Sequence, residues 1–95
     1  MIHQYTWNEA KRTANLEKHL LDFSDADLVL ESTIKLTIDI ERNSEHRKQV
    51  FAYVFEVLTV LTVVYTERDN TARIISFLPA KHTEREAYYE WLNDI

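Results

Sequence analysis

The sequence contains no cysteine and no glycine, and its single proline is Pro79. Without cysteine, neither a disulfide framework nor a thiolate zinc site can form. Without glycine, the Gly-rich phosphate loops of P-loop and Rossmann nucleotide-binding proteins are excluded. The lack of cysteine is compatible with the reducing cytoplasm, where we expect this protein to act.

Long apolar runs are also missing. The longest apolar-rich stretch, from Val50 to Tyr65, is interrupted by Glu56 and by two threonines. Its length and its β-branched composition predict strands rather than a membrane helix. The N-terminal residues lack a basic segment followed by an apolar run, so they do not resemble a secretory signal. We therefore expect no association with a membrane.

The composition predicts one folded domain over residues 1–95, because 45% of the residues are hydrophobic and 28% are charged. A chain of this length is too short for two separate cores. The formal net charge is −5. Since an acidic protein repels a polyanion, any RNA site must be a local basic patch.

Periodicity and capping signals predict an α+β fold without internal repeats. Asn8 is a suitable helix N-cap, and the strict alternation over residues 33–40 is typical of a half-buried strand. The predicted elements are a strand at 2–6, a helix from Asn8 to about His19, a short helix from the N-cap Ser24 to about Glu31, a strand at 33–40, a loop at 41–48, two strands within 50–66, a strand at 72–78 ended by Pro79, and a final helix with a capping box at Thr83 and Glu86.

A predicted hairpin turn at 69–70 could create a phosphate site. A two-residue turn pairs Arg68 with Thr71 and Thr66 with Arg73, which places both arginines on one sheet face. As diagonal neighbours they would be about 7–8 Å apart, close enough for two guanidinium groups to grip one phosphodiester. The alternative is that both arginines only solvate an exposed hairpin end.

Other cations and an aromatic residue are further candidates. Lys18 and His19 end the first helix, where the helix dipole alone explains cations, although they could also transfer a proton and bind phosphate. Lys81 and His82 precede the last helix, where the dipole favours anions, so a bound phosphate would explain them better than helix capping does. Ordinary solvent exposure is the alternative. Trp7 could stack on a base or serve as a packing anchor.

The four histidines do not predict a metal site. None of them has another histidine four residues away, and no HExxH motif or similar ligand spacing occurs. We expect no cofactor and no metal.

Five motifs occur in order along the chain. They are W-x-x-x-K at Trp7–Lys11, NLEKH at Asn15–His19, VVYTERD at Val63–Asp69, RIIS at Arg73–Ser76 and ERExYY at Glu84–Tyr89. Together they resemble one known family, the BrnT toxins of bacteria. The resemblance covers about residues 5–90, so it is more specific than any single motif. It implies a RelE-like fold, in which two N-terminal helices and one C-terminal helix pack on a small antiparallel sheet.

The same resemblance implies a metal-independent ribonuclease that inhibits translation and is neutralised by a BrnA-like antitoxin, with RNA as substrate and an oligomer with the antitoxin as a further expectation. In such a reaction the 2′-hydroxyl attacks the adjacent phosphate, arginines stabilise the developing charge and a histidine moves protons. The implied catalytic residues are Lys18, His19, Arg68 and Arg73, and the candidates for RNA binding are Lys81, His82 and Trp7.

Three positions depart from the family pattern. Leu20 and Leu58 stand where glycine is usual, and Leu78 stands where an arginine commonly follows the RIIS motif. A missing cation would weaken a site that works by charge stabilisation. The alternative hypothesis is therefore a catalytically weakened or inactive module that binds the antitoxin and acts in transcriptional autoregulation.

Overall fold

The computed structural model describes residues 4–95 and has an α+β fold, as the sequence predicts. In chain order the elements are β1 (Gln4–Trp7), α1 (Glu9–His19), a 3-10 turn (Phe23–Asp25), α2 (Asp27–Leu30), β2 (Leu36–Arg42), β3 (Glu45–Val54), β4 (Thr59–Arg68), β5 (Thr71–Pro79) and α3 (His82–Asn93). Ile2 and His3, with which the predicted first strand begins, lie outside the described residues. None of the helices in residues 4–95 has the length and apolar character needed to cross a bilayer.

The five strands form one mixed sheet in the order β1-β5-β4-β3-β2. Three neighbouring pairs are antiparallel, but β1 pairs with β5 in parallel. This corrects the purely antiparallel sheet that the resemblance implies. A parallel pair needs a long connection between its strands, and the whole of the chain between β1 and β5 provides it.

The predicted loop at 41–48 is wrong, because these residues form the ends of two paired strands. Arg42 pairs with Glu45 across a two-residue turn at Asn43 and Ser44. Both turn residues have positive φ, 53° and 64°, as tight hairpin turns require. The segment is polar because this end of the hairpin is exposed, not because it lacks regular structure.

Two of the three predicted helix starts need correction. Asn8 caps α1 as predicted, since its side chain accepts a hydrogen bond from the backbone N–H of Lys11. The second helical segment is capped by Asp22 rather than Ser24, because the Asp22 carboxylate accepts from the Ser24 N–H at 3.0 Å. In α3 the Glu84 carboxylate accepts from the backbone N–H of Lys81 at 2.8 Å, so the N-cap is Lys81, two residues before Thr83.

The sheet buries one apolar layer on each face. On the back face α2 and the 3-10 turn pack against residues that include Val50, Val63, Ile74 and Phe77. On the front face α3 packs through Tyr88 against Phe51, Val60 and Ala80. Side chains alternate between faces, so odd-numbered residues of β3 and even-numbered residues of β2 and β4 face the front.

The edge of β5 that extends beyond β1 is covered by α1. The buried Asn15 carboxamide accepts from the Phe77 N–H at 3.2 Å and donates to the Phe77 carbonyl at 2.7 Å. It also donates to the Leu21 carbonyl at 3.0 Å. The Asn15 side chain thus takes the place of a neighbouring strand at this point. It fixes α1 against the sheet and provides partners for the backbone N–H and carbonyl of the strand edge.

Left-handed backbone occurs at residues that are not glycine, since the chain has none. Leu20 ends α1 with φ of 59°, and Leu58 has φ of 56° in the turn between β3 and β4. These are the two positions at which the resemblance leads us to expect glycine. Glycine would adopt this backbone geometry freely, and this chain adopts it with leucine.

Candidate functional site

Arg68 and Arg73 lie on the front face, as the predicted hairpin requires. Arg68 pairs with Thr71 and Thr66 pairs with Arg73, and the turn residues at 69–70 have φ of 53° and 66°. By this register the two arginines are diagonal neighbours, about 7–8 Å apart. Both line a cleft of about 670 Å³ at the exposed end of the sheet.

Two further arginines lie on the same face, on the neighbouring hairpin. Arg42 ends β2 and Arg47 lies near the start of β3, and their register places both side chains at the front. Arg47 donates from Nε to Glu45 Oε1 at 2.7 Å, an ion pair that orients the guanidinium group. We call the surface formed by Arg42, Arg47, Arg68 and Arg73 the arginine face.

The cleft exists because the two hairpins separate at their ends. The last pair between β3 and β4 is Lys48 with Tyr65, and the residues beyond it are not paired across the two strands. Glu45 and His46 line the cleft from β3, opposite Arg68 and Arg73. Titratable side chains therefore lie beside cations that could hold a phosphate.

Charge is divided between the two sides of this end of the sheet. The front carries the arginine face with one carboxylate, Glu45, whereas the back carries Asp39, Glu41 and Glu67 with Lys48 and His46. Glu67 faces away from both hairpin arginines, because it pairs with the core residue Ala72. A chain of net charge −5 thus presents a local cationic surface.

The arginine face continues as a groove toward α3. The groove has a volume of about 450 Å³ and is lined by Arg42 and Arg47 at one end and by Lys81 at the other. Leu78 lies in its wall, since it pairs with Thr62 on the front face. The arginine that the resemblance leads us to expect at this position would project into the groove, and this chain places an apolar side chain there.

Lys18 and His19 are not brought to the cleft. They occupy the last turn of α1, one turn beyond Asn15, which contacts Phe77. Arg73 lies four residues before Phe77 on β5, about 13 Å away along the strand. Neither cation lines the cleft or the groove, because α1 continues past the position of Phe77.

The three predicted RNA-binding residues also separate. Lys81 lines the groove. His82 is paired with Glu86 one turn later in α3 and does not line that groove. Trp7 packs with the back-face core, where its indole N–H donates to Glu9 at 2.7 Å and the Arg12 guanidinium lies 5.8 Å from its ring. The packing-anchor interpretation of Trp7 is thus the one that fits its position.

Sequence reasoning missed Arg42 and Arg47 because it took their segment for a loop. The available signal was Asn43-Ser44, since a two-residue turn there gives the same register logic as the turn at 69–70. Both turns place arginines on the front face at the same end of the sheet. The turn at Asn43-Ser44 thus adds two cations to the predicted arginine pair.

An ion pair with two hydrogen bonds joins α1 to the segment that follows it. Arg12 donates to both carboxylate oxygens of Asp22 at 2.7 and 2.9 Å. These hydrogen bonds, with the one from the Ser24 N–H, hold the pKa of Asp22 well below its ordinary value. The pair ties α1 to the 3-10 turn, so its role is structural.

Within residues 4–95 no group of three or more histidine, aspartate or glutamate side chains is arranged to hold a metal ion.

Comparison with known proteins assigns the chain to a family. None of the curated proteins compared with the chain matches it significantly. A family model described as the ribonuclease toxin BrnT of type II toxin-antitoxin systems matches residues 7–84, which contain all four arginines of the arginine face. The chain therefore belongs to the BrnT family of ribonuclease toxins.

Proposed function

We propose that this chain is itself an endoribonuclease that binds single-stranded RNA along the arginine face and cleaves it without a metal ion. The observation that carries the proposal is the convergence of four arginines from two hairpins on one exposed surface of an acidic protein. A guanidinium group can donate two parallel hydrogen bonds to the oxygens of one phosphate, so successive phosphates of one strand could bind along this surface.

The reaction that suits the cleft is an internal transfer at phosphorus. The 2′-oxygen of one ribose attacks the adjacent phosphorus, the bond to the 5′-oxygen breaks, and the products are a 2′,3′-cyclic phosphate and a 5′-hydroxyl. Arg68 and Arg73 would hold the nonbridging oxygens and stabilise their added negative charge. One group must accept the 2′-hydroxyl proton and another must protonate the leaving oxygen.

Position favours Glu45 over His19 for proton transfer, because Glu45 lines the cleft on the same face as Arg68 and Arg73. His46 also lines the cleft, but its side chain belongs to the back face, where Nε2 lies 3.2 Å from Asp39 Oδ1. His19 would have to act from α1, beyond the position of Phe77, so we propose no catalytic role for it.

Membership of a type II toxin-antitoxin family implies an antitoxin partner. We propose a BrnA-like protein that neutralises the toxin by covering the arginine face with acidic side chains, because complementary charge is the strongest recognition feature of that surface. Cleavage of cellular RNA would inhibit translation when the partner is absent.

The experiment combines the purified chain with a single-stranded RNA oligonucleotide and identifies the products by mass spectrometry. We expect cyclic-phosphate products that still form in excess chelator. Arg68→Ala and Arg73→Ala should reduce the rate at least tenfold, whereas Lys11→Ala, which removes an exposed cation from α1, should leave it within twofold. The arginine variants should also relieve growth inhibition in cells. Absence of cleavage, or equal rates for all four proteins, would contradict the proposal.

The second candidate function is an antitoxin-binding module with little catalytic power, and the position of Leu78 favours it. An apolar side chain in the groove wall removes a cation from a surface that acts through charge. Leu78→Arg distinguishes the candidates. If the wild type binds RNA but cleaves it slowly, the added arginine should raise the cleavage rate, and an unchanged rate in a folded variant would count against a lost catalytic arginine.

A further inference from the structure

A second cavity opens from the groove between β2, β3 and α3. It has a volume of about 250 Å³, below the range of about 300–1,000 Å³ that drug-sized ligands occupy. Its walls are mainly apolar and include Leu36, Ile38 and Phe51 from the sheet and Ala87 from α3. The space suits one planar base-sized group rather than a larger ligand.

This cavity and the groove are continuous, because Gln49 and Glu84 line both. On the groove side these residues are followed by the cations Arg47 and Lys81. An apolar slot beside a cationic path matches one nucleotide of an RNA strand, with its base in the slot and its phosphate in the groove. The arrangement thus has the charge and shape of a nucleotide subsite.

Two acceptors are oriented at the shared boundary. Gln49 Nε2 donates to the hydroxyl of the buried Thr62 at 3.3 Å, which fixes the carboxamide. Glu84 Oε1 accepts from the Lys81 N–H at 2.8 Å, which fixes the carboxylate. The second oxygen of each group, Gln49 Oε1 and Glu84 Oε2, accepts no hydrogen bond from the side chains of residues 4–95.

We propose that this cavity is a nucleobase pocket in which Gln49 and Glu84 select a base with N–H donors on its Watson–Crick edge. The proposal rests on the proposed ribonuclease function and adds a determinant of its sequence preference. Guanine presents two adjacent N–H donors and fits a carboxylate best, whereas uracil presents one donor between two acceptors, which the glutamate would repel. The pocket should therefore favour guanine over uracil.

Binding is measured with four 2′-O-methyl pentanucleotides, which cannot undergo attack by the 2′-oxygen. One is oligouridylate, and the others carry guanine, adenine or cytosine at the central position. We expect the wild type to bind the guanine oligonucleotide roughly tenfold more tightly than oligouridylate, in the range of a good base-specific contact. A phosphate-only site would bind all four equally.

Ala87→Leu tests the location of the preference, since it fills the slot from an exposed position on α3. The variant should lose the preference for guanine and bind oligouridylate within twofold of the wild type. Ala14→Leu, the same change at an exposed position on α1, should preserve the preference. Glu84→Gln should reduce the guanine preference without filling the slot.

The outcomes separate this proposal from the one it rests on. Salt-dependent binding without any base preference, or a preference that survives Ala87→Leu, would overturn the nucleobase pocket and leave the ribonuclease proposal standing. Failure of the wild type to bind any of the four oligonucleotides would overturn both.

Discussion

Leu20→Gly should stabilise the protein, because Leu20 holds a left-handed backbone at the end of α1 with φ of 59°. That conformation costs an L-residue roughly 1–2 kcal/mol, whereas glycine adopts it without this cost. Glycine is also freer in the unfolded chain, which lowers the free energy of unfolding by about 0.5–1 kcal/mol. The side chain is 82% exposed, so little burial is lost. The difference leaves a net gain of roughly 0.5–1 kcal/mol, about 3–6 °C in Tm for a domain of this size.

The assay is thermal and urea unfolding of the wild type, Leu20→Gly and Leu20→Ala. The alanine variant removes the same exposed side chain but retains Cβ, so it should stay within about 0.5 kcal/mol of the wild type. If the glycine variant were no more stable than the alanine variant, the left-handed backbone would not be a source of strain. The explanation of the family glycine at this position would then fail.

Two other outcomes follow from specific contacts, and a third follows from the proposed reaction. Asn15→Ala should destabilise the fold by about 2–4 kcal/mol in urea unfolding, because it leaves the buried N–H and carbonyl of Phe77 without partners; a cost below about 1 kcal/mol would contradict this role. Ionised Asp22 stabilises the fold above the ordinary aspartate pKa of about 4, and this contribution is lost as pH falls toward its lowered folded pKa. The stability gap between wild type and Asp22→Asn should therefore narrow from pH 7 to pH 3, and a constant gap would refute the linkage. RNA cleavage should survive excess chelator, and recovery of lost activity on adding a divalent ion would refute metal independence.

The sequence predicts strands best where alternation or turn chemistry is local. The turn at 69–70 has residues that tolerate left-handed φ, and it joins two apolar strands, so its register and the shared face of Arg68 and Arg73 follow directly. The acidic Glu56 is also a local signal, since the long apolar run divides around it, with β3 ending at Val54 and β4 beginning at Thr59.

The other hairpin was harder to predict because its polar end resembles a loop. The strands extend past the region that the helices cover, so their exposed residues lose the apolar alternation that marks a half-buried strand. The turn residues Asn43 and Ser44 carry the only local signal. This missed turn concealed Arg42 and Arg47, which complete the arginine face.

Long-range geometry was beyond the sequence. The parallel pairing of β1 with β5 joins residues far apart in the chain, and Asn15 holds α1 to β5 by bonding to Phe77, 62 residues away. No periodicity encodes that contact. The contact between Asn15 and Phe77 also determines how far His19 lies from the hairpin arginines. The family motifs group Lys18 and His19 with Arg73, but only the fold can show whether these residues lie near one another.

The most direct test of the arginine face compares two variants that change net charge equally. Arg47→Ala removes a cation from that face, whereas Lys18→Ala removes an exposed cation from the end of α1. With the same RNA oligonucleotide at a concentration below saturation, the cleavage rate should fall at least tenfold for Arg47→Ala, since a phosphate bound along the groove loses its guanidinium partner, and should stay within twofold for Lys18→Ala. A large loss for Lys18→Ala with little change for Arg47→Ala would place the active surface on α1 and contradict the account.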